Sequence, residues 1–388
     1  MLTRKLGIRF ILIDSLCILQ DDSTDWHIEV GKMGDIYAYA HCTIAASSAT
    51  QEGEGTFEQH VEEGELSNRG WILQERALSR RTIHLTGRQT YWECGSVLWS
   101  KTDDRGFRPA NRLASSFFPQ VSGRSDRSKE GLLTAVHDIF AHYSKLSLTN
   151  PTDKPVAIMG LEHRLQSFYN SYSYYGVFEE VFAESLLWRR SQESWLSPLI
   201  DFKADIHEWS VAGYRIPSWS WMAYTGEIRF HDHTSPDALT YATDLSIIRG
   251  DGEKRSDRGG VITITYTRNV FALSAPLLHL PADCVINRAQ DSNCEIRHGH
   301  DVVGWARYDC DDAGNQDCRH CISLAQGEAQ AWPAYAAIPS SRIDATSGNP
   351  FRIVLLLMPV EADIYRRIGV AVVAHKYLAS SENMARVF

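Results

Sequence analysis

The chain has 388 residues, of which 44% are hydrophobic and 22% are charged, an ordinary globular composition that can bury a sizeable core and does not predict disorder. The formal net charge of −9 argues against a general nucleic-acid binder, because such a protein would show a basic face. No run reaches the roughly 18 apolar residues of a membrane-spanning helix, so we predict a cytoplasmic protein without a membrane span.

The eight cysteines are too widely spaced for a small disulfide-stapled domain, so they are expected to be reduced. The segment CRHC, which contains Cys318 and Cys321, has the spacing of metal ligands. Zinc sites usually combine two such pairs, and only one is present, so no metal is predicted.

The N-terminal third predicts alternating helices and strands. Gly7 ends a first helix, and the apolar run of residues 8–19 has the pattern of a buried strand. Apolar residues recur at helical spacing over residues 24–40, and residues 42–48 follow as a second short strand. Helices that alternate with strands indicate a parallel sheet covered by helices.

The rest of the chain divides into regions of different character. Residues 70–79 predict a short helix, and residues 81–94 predict two strands joined by a turn. We expect three regions: an α/β domain over residues 1–95, a mostly helical region over 96–195 and a β-rich region over 196–388. In the last region, PSWSW places Trp219 and Trp221 at strand spacing, for which core packing is the simpler interpretation and a ligand platform the alternative.

Three motifs at the N-terminus together resemble one family. ILIDSLCILQDD, MGDIYAYAHCTIAASSA and RGWILQERALSRRTIHLTGRQTYWEC are similar to the fungal heterokaryon-incompatibility (HET) domain. Farther along, DKPVAIMGLE, LLWRR, YRIPSWSWMAY and RRIGVAVV resemble the region that often follows that domain. The resemblance implies an N-terminal parallel sheet like that of Toll/interleukin-1 receptor (TIR) domains.

The same resemblance implies that the first strand of the domain is missing. The family's domain normally opens with a strand that carries a tyrosine–serine–tryptophan–glycine motif, before the helix that here ends in TRKLGIR. A truncated gene model and a degenerate paralogue are the two explanations for its absence.

The family resemblance implies a role in non-self recognition and programmed cell death. Some TIR domains cleave NAD at the nicotinamide bond, with a glutamate four residues after a tryptophan on a helix. Trp71 and Glu75 have this spacing in WILQE, which places them on one helical face. Glu75 is therefore the candidate catalytic residue and Trp71 a candidate substrate-binding residue. Alternatively, Trp71 is a core residue and Glu75 forms a structural ion pair with Arg76, Arg80 or Arg81.

Asp14, Ser15 and Arg76 complete the candidate substrate-binding set. Asp14 and Ser15 follow the apolar part of a predicted strand, where ligands bind in open α/β sheets. Asp14 can equally be a structural acid that accepts backbone hydrogen bonds. Arg76 could bind a phosphate, although solvated surface arginines are more common.

Three functions remain open at this stage. The chain is predicted to be an interaction and signalling module that associates with itself or with other incompatibility proteins. It could instead be an NAD glycohydrolase that uses Glu75, with NAD as substrate and no resident cofactor. The third alternative is an inactive truncated paralogue.

Overall fold

The structure is a computed structural model, and it describes the greater part of the chain. The described residues are 2–48, 56–87, 89–95, 97–101, 103–107, 127–191, 195–202, 204, 215–230, 239–248, 256–258, 261–263, 272–288, 294–311, 319–327, 350–361 and 363–388. The chain forms two compact units. The N-terminal unit comprises Met1–Ser125 and Lys154–Phe168, and the C-terminal unit comprises Asp126–Asp153 and Tyr169–Phe388.

Helices are concentrated in the first half of the chain. In chain order they are α1 (Leu2–Lys5), α2 (Asp14–Cys17), α3 (Ser23–Tyr39), α4 (Gly70–Leu78), α5 (Lys129–Ser144), α6 (Met159–Tyr169) and α7 (Phe182–Ser185). The predicted helix of residues 24–40 is confirmed as α3, whose amino terminus is capped by the Asp22 carboxylate accepting from the amides of Thr24 and Asp25. The predicted short helix of residues 70–79 is confirmed as α4.

The N-terminal unit contains a five-stranded sheet in the order β1-β2-β3-β4-β5. Its strands are β1 (Thr43–Ser48), β2 (Arg81–Thr86), β3 (Thr90–Cys94), β4 (Val97–Ser100) and β5 (Asp103–Phe107). The predicted hairpin of residues 81–94 is confirmed as β2 and β3. Only β1 and β2 run parallel among these described strands, and the other neighbours pair antiparallel. The sheet is therefore mixed, where the sequence predicted a parallel one.

The apolar run of residues 8–19 is the largest departure from the sequence prediction. It forms no strand: residues 8–13 have no regular secondary structure, and α2 follows. Most of its large side chains are exposed, including Phe10 at 80% and Leu16 at 78%. The prediction of a buried strand is wrong because an apolar run is buried only where another element covers it, and no described strand pairs with this segment.

The C-terminal unit is rich in β-structure, as the sequence predicted. Its strands are β6 (Ser173–Tyr174), β7 (Val177–Phe178), β8 (Arg189–Arg190), β9 (Ser197–Pro198), β10 (Tyr224–Thr225), β11 (Ile228–Arg229), β12 (Leu239–Tyr241), β13 (Ser246–Ile248), β14 (Ser256–Arg258), β15 (Val261–Thr263), β16 (Ala272–His279), β17 (Cys284–Arg288), β18 (Cys294–His298), β19 (Asp301–Tyr308), β20 (His320–Gly327), β21 (Phe351–Pro359), β22 (Ile364–Ala374) and β23 (Ala379–Val387). Strands β16, β23, β22, β21 and β20 pair in a closed circuit, since β21 joins β20 to β22 and β16 pairs with both β20 and β23.

The quoted motifs of the C-terminal unit meet in its interior. Arg367, from RRIGVAVV, donates to Asp309 and to the backbone carbonyls of Leu186 and Trp188 in LLWRR. The indole of Trp188 donates to the carbonyl of Trp219 in PSWSW. Trp219 and Trp221 are fully buried, which confirms core packing, although a turn and a short 3₁₀ helix hold them instead of a strand.

Candidate functional site

The helix that carries Glu75 is held in the N-terminal unit by two other helices. The side chain of Gln74 on α4 accepts hydrogen bonds from the amides of Gly160 and Leu161 at the start of α6, at 2.6 and 3.3 Å. A side chain at Gly160 would lie 2.9 Å from the Cα of Gly34 on α3, so the two helices cross in contact through their glycines. Helices α3, α4 and α6 therefore fix the position of Glu75.

Tyr37 on α3 forms the main polar contact of Glu75. Its hydroxyl donates a hydrogen bond to the Glu75 carboxylate. Burial raises the pKa of Glu75, and the hydrogen bond from Tyr37 and the charge of Arg69 only partly offset that increase. Burial and the neighbouring Glu75 raise the pKa of Tyr37 well above its usual range, so Tyr37 keeps its proton and remains a donor.

Asp14 lies close enough to Glu75 for their charges to interact. The negative charge of Asp14 raises the pKa of both Glu75 and Tyr37. Asp14 is itself exposed at the start of α2, and its carboxylate accepts a hydrogen bond from the backbone amide of Ser15 at 2.8 Å. The structure thus brings two of the predicted site residues, Asp14 and Glu75, together with Tyr37.

The remaining predicted residues contribute differently. Trp71 lies one helical turn before Glu75 and is partly buried, as is Glu75, while Ser15 is exposed beside Asp14. Arg76 pairs with Glu93 on β3: its Nε and Nη2 atoms lie 2.9 and 3.1 Å from the two carboxylate oxygens. The arginine whose charge acts on Glu75 is Arg69, which precedes α4.

Glu93, on β3, is the centre of a buried polar network. Besides Arg76, it accepts a hydrogen bond from Nε2 of His84 at 2.9 Å, and Nδ1 of His84 lies 2.8 Å from the Ser47 hydroxyl. Burial by itself would raise the pKa of Glu93, but Arg76 and His84 hold it well below its usual range. Arg76 is therefore a structural partner of Glu93 in this arrangement.

Tyr37 is the one site residue that sequence reasoning missed. Tyr37 lies at helical spacing with the apolar residues that predict α3, so periodicity alone assigns it to the apolar face. A tyrosine on such a face has a polar tip that needs a partner when it is buried, and this was the available signal.

The site combines two carboxylates in unequal surroundings with a tyrosine donor and a nearby arginine. Such an arrangement can perform acid–base chemistry. A partly buried carboxylate with a raised pKa can hold or donate a proton. Among the described residues, no cluster of three or more His, Cys, Asp or Glu side chains could hold a metal ion. Cys318 of the CRHC segment lies outside the described residues.

Comparisons with known proteins agree with one part of the sequence interpretation. Residues 1–62 match the family model described as Heterokaryon incompatibility protein (HET), which supports a protein of the heterokaryon-incompatibility type. This stretch includes Asp14, Tyr37 and β1 and ends before Trp71 and Glu75. No curated protein and no solved structure gives a significant match to the chain. None of the described helices is long and apolar enough to span a membrane.

Proposed function

We propose that the chain is an interaction and signalling module of fungal non-self recognition, whose assembly in the cytoplasm leads to programmed cell death. The observation that carries the proposal is the HET family match over residues 1–62. Its partners are other copies of itself or other incompatibility proteins.

A surface suited to such assembly lies within the matched stretch. Six large apolar residues between Phe10 and Leu19 are exposed, and exposed apolar patches of this kind mark sites of protein–protein contact. The amide of Leu19 donates to the Asp25 carboxylate on α3 at 2.8 Å, so this surface is tied to a folded helix of the N-terminal unit.

The proposal predicts that the chain kills cells in which it accumulates. Fungal cells induced to express it are expected to lose viability, whereas cells that carry the same vector without the insert are expected to grow. Colony counts before and after induction provide the measurement. Unchanged viability at a confirmed level of expressed protein would contradict the proposed function.

A second candidate function is cleavage of NAD, and the convergence of Asp14, Tyr37 and Glu75 favours it. The bond between the ribose and the nicotinamide ring nitrogen breaks, neutral nicotinamide leaves with the electron pair, and positive charge develops at the ribose carbon. A carboxylate beside that carbon would stabilise the charge, as in glycoside cleavage. Water then adds to the carbon and gives up a proton, for which the exposed carboxylate of Asp14 is an available acceptor.

In this mechanism Tyr37 positions Glu75. Its hydrogen bond fixes the carboxylate and favours the ionised form that would face the ribose, while Trp71 offers a flat surface one turn away. The TIR-like tryptophan–glutamate spacing supports the same roles. NAD is a substrate in this proposal, and no resident cofactor is involved.

Nicotinamide release from NAD by the purified protein tests this second function. Glu75→Ala is expected to lower the rate about 10²–10³-fold, since it removes the charge that stabilises the transition state. Glu29→Ala serves as the matched control and should leave the rate unchanged, since the partly buried Glu29 pairs with Lys32 on α3 and not with the site. Tyr37→Phe should lower the rate less and shift the pH profile upward, because it removes a hydrogen bond that lowers the pKa of Glu75.

The outcomes of that assay separate the candidates. Equal rates for the wild type and Glu75→Ala would exclude Glu75 from the reaction. If the wild-type protein releases no nicotinamide and its expression still kills cells, the interaction module is the only candidate function that remains. An inactive paralogue, the third candidate, predicts neither release nor cell death.

A further inference from the structure

Residues 8–13, with the sequence IRFILI, form an extended segment that is open on both sides. Gly7 turns the chain away from α1 with a φ of +69°, a conformation that glycine adopts without strain. The segment then runs extended into Ile13, at φ −131° and ψ 112°, before α2 begins. Successive side chains of an extended chain point to opposite faces, and Phe10, Ile11, Leu12 and Ile13 are all exposed, so neither face is covered.

The backbone of this segment is also unpaired. The amide of Ile8 donates to the carbonyl of Thr3, and the carbonyl of Ile13 accepts from Leu16 and Cys17. Between these two points, none of the amides from Arg9 to Ile13 donates a backbone hydrogen bond to another described residue. An extended apolar segment with free amides has the properties of an edge strand, which pairs readily with another chain.

The size of the apolar surface suits a protein interface. Six large apolar side chains of this region are between 38% and 80% exposed: Phe10, Ile11, Leu12, Ile13, Leu16 and Leu19. Taken together, they expose on the order of 600 Å², at the upper end of the largest apolar patch on a typical monomer and approaching the roughly 800 Å² per partner of a standard interface. Burial of this surface would stabilise a complex.

The charges at the two ends of the segment point to a second copy as the partner. Arg4, Lys5 and Arg9 lie at its amino-terminal side, whereas Asp14, Asp21 and Asp22 follow its carboxyl-terminal side. In an antiparallel pair related by a two-fold axis, the basic end of each copy faces the acidic end of the other. The segment is therefore complementary to itself in charge as well as in apolar character.

We propose that two copies of this chain associate through antiparallel pairing of residues 8–13, with Leu16 and Leu19 packing around the paired strands. The inference rests on the proposed interaction function, for which it names the surface and the partner. Asp14 directly follows the paired segment, so the second copy lies beside the site formed by Asp14, Tyr37 and Glu75.

Sedimentation of the full chain over a range of concentrations tests the inference. The wild type is expected to pass from monomer to dimer as its concentration rises. Ile11→Lys places a charge in the interface, and Ile11→Pro removes an amide that the pairing needs; each is expected to weaken the dimer at least about tenfold. Both replace an exposed side chain outside any helix or strand, so the fold should persist, which circular dichroism checks.

Val285→Lys is the matched control. Val285 is 54% exposed against 53% for Ile11, and it lies on β17 in the other unit. It should leave the dimer unchanged. A wild type that stays monomeric at all concentrations, or a dimer that Ile11→Lys and Ile11→Pro leave intact, would overturn the inference. Open-ended oligomers would also overturn it, because a two-fold pair is closed. None of these results decides the proposed function, which the viability test measures separately, since a different partner could still trigger cell death.

Discussion

Replacing Arg367 by alanine is expected to lower the free energy of unfolding of the C-terminal unit by about 3–5 kcal/mol. Arg367 is fully buried, and its guanidinium pairs with Asp309 at 2.9 Å. It also donates to the carbonyls of Leu186 and Trp188 and lies 3.2 Å from the centre of the Trp188 ring. The substitution leaves a buried carboxylate and two carbonyls without this donor, and such losses are costly.

The loss of unfolding free energy caused by Arg367→Ala should increase with pH. Burial raises the pKa of Asp309, while Arg367 and Arg190 favour its charged form. Without Arg367 the pKa of Asp309 rises further, so the variant is penalised most where the unfolded chain has an ionised aspartate, above the ordinary aspartate range, and least in acid. Denaturant unfolding at several pH values measures this.

Arg386→Ala is the control for this prediction. Arg386 also pairs with an aspartate, Asp363, at 2.7 Å, but both side chains are about half exposed. Exposed ion pairs contribute little to stability because water screens them, so little change is expected. Equal effects of the two substitutions would contradict the view that Arg367 organises the interior of the C-terminal unit.

Replacing Glu93 by glutamine should destabilise the N-terminal unit by about 3 kcal/mol, because the buried Arg76 then loses its bidentate carboxylate partner and keeps only the longer ion pair with Glu62 at 3.5 Å. The substitution preserves the shape of the side chain but removes the charge to which Arg76 and His84 bind. Glu65→Gln is the matched control at an exposed position of the same unit and should have little effect.

The pH dependence of the unfolding free energy shows whether loss of the Glu93 charge causes this destabilisation. The pKa of Glu93 is held below its usual range in the folded protein, so its stabilisation is present above the glutamate pKa of the unfolded chain and is lost as the pH falls toward the lower folded value. Glu93→Gln should therefore flatten the acid side of the stability profile. An unfolding free energy equal to that of the wild type from neutral pH into acid would contradict this role.

The sequence predicts local elements better than it predicts what covers them. Helix α3 followed from the helical spacing of its apolar residues, and the β2–β3 hairpin followed from two strand patterns joined by a turn; both bounds agree within a few residues. The apolar run of residues 8–19 carried an equally strong signal and was misassigned, because apolar content shows that a segment can be buried and not which element buries it.

The candidate site shows the same limit. The spacing of Trp71 and Glu75 could be seen in the sequence, and so could the acid at Asp14. The hydrogen bond from Tyr37 depends on how α3 crosses α4, and the pairing of Arg76 with Glu93 joins a helix to a strand 17 residues away. Contacts of this kind, like that of Arg367 with Asp309, depend on tertiary packing, which no local pattern encodes.

The most direct test of the proposed link between the exposed segment and cell death is a comparison of cell viability. Fungal cells express the wild type, Ile11→Lys or Val285→Lys at equal levels, and colony counts are compared. Wild type and Val285→Lys are expected to reduce colony counts alike, whereas Ile11→Lys should restore them. Killing by Ile11→Lys as efficient as that by the wild type, or full survival of cells that express the wild type, would contradict that link.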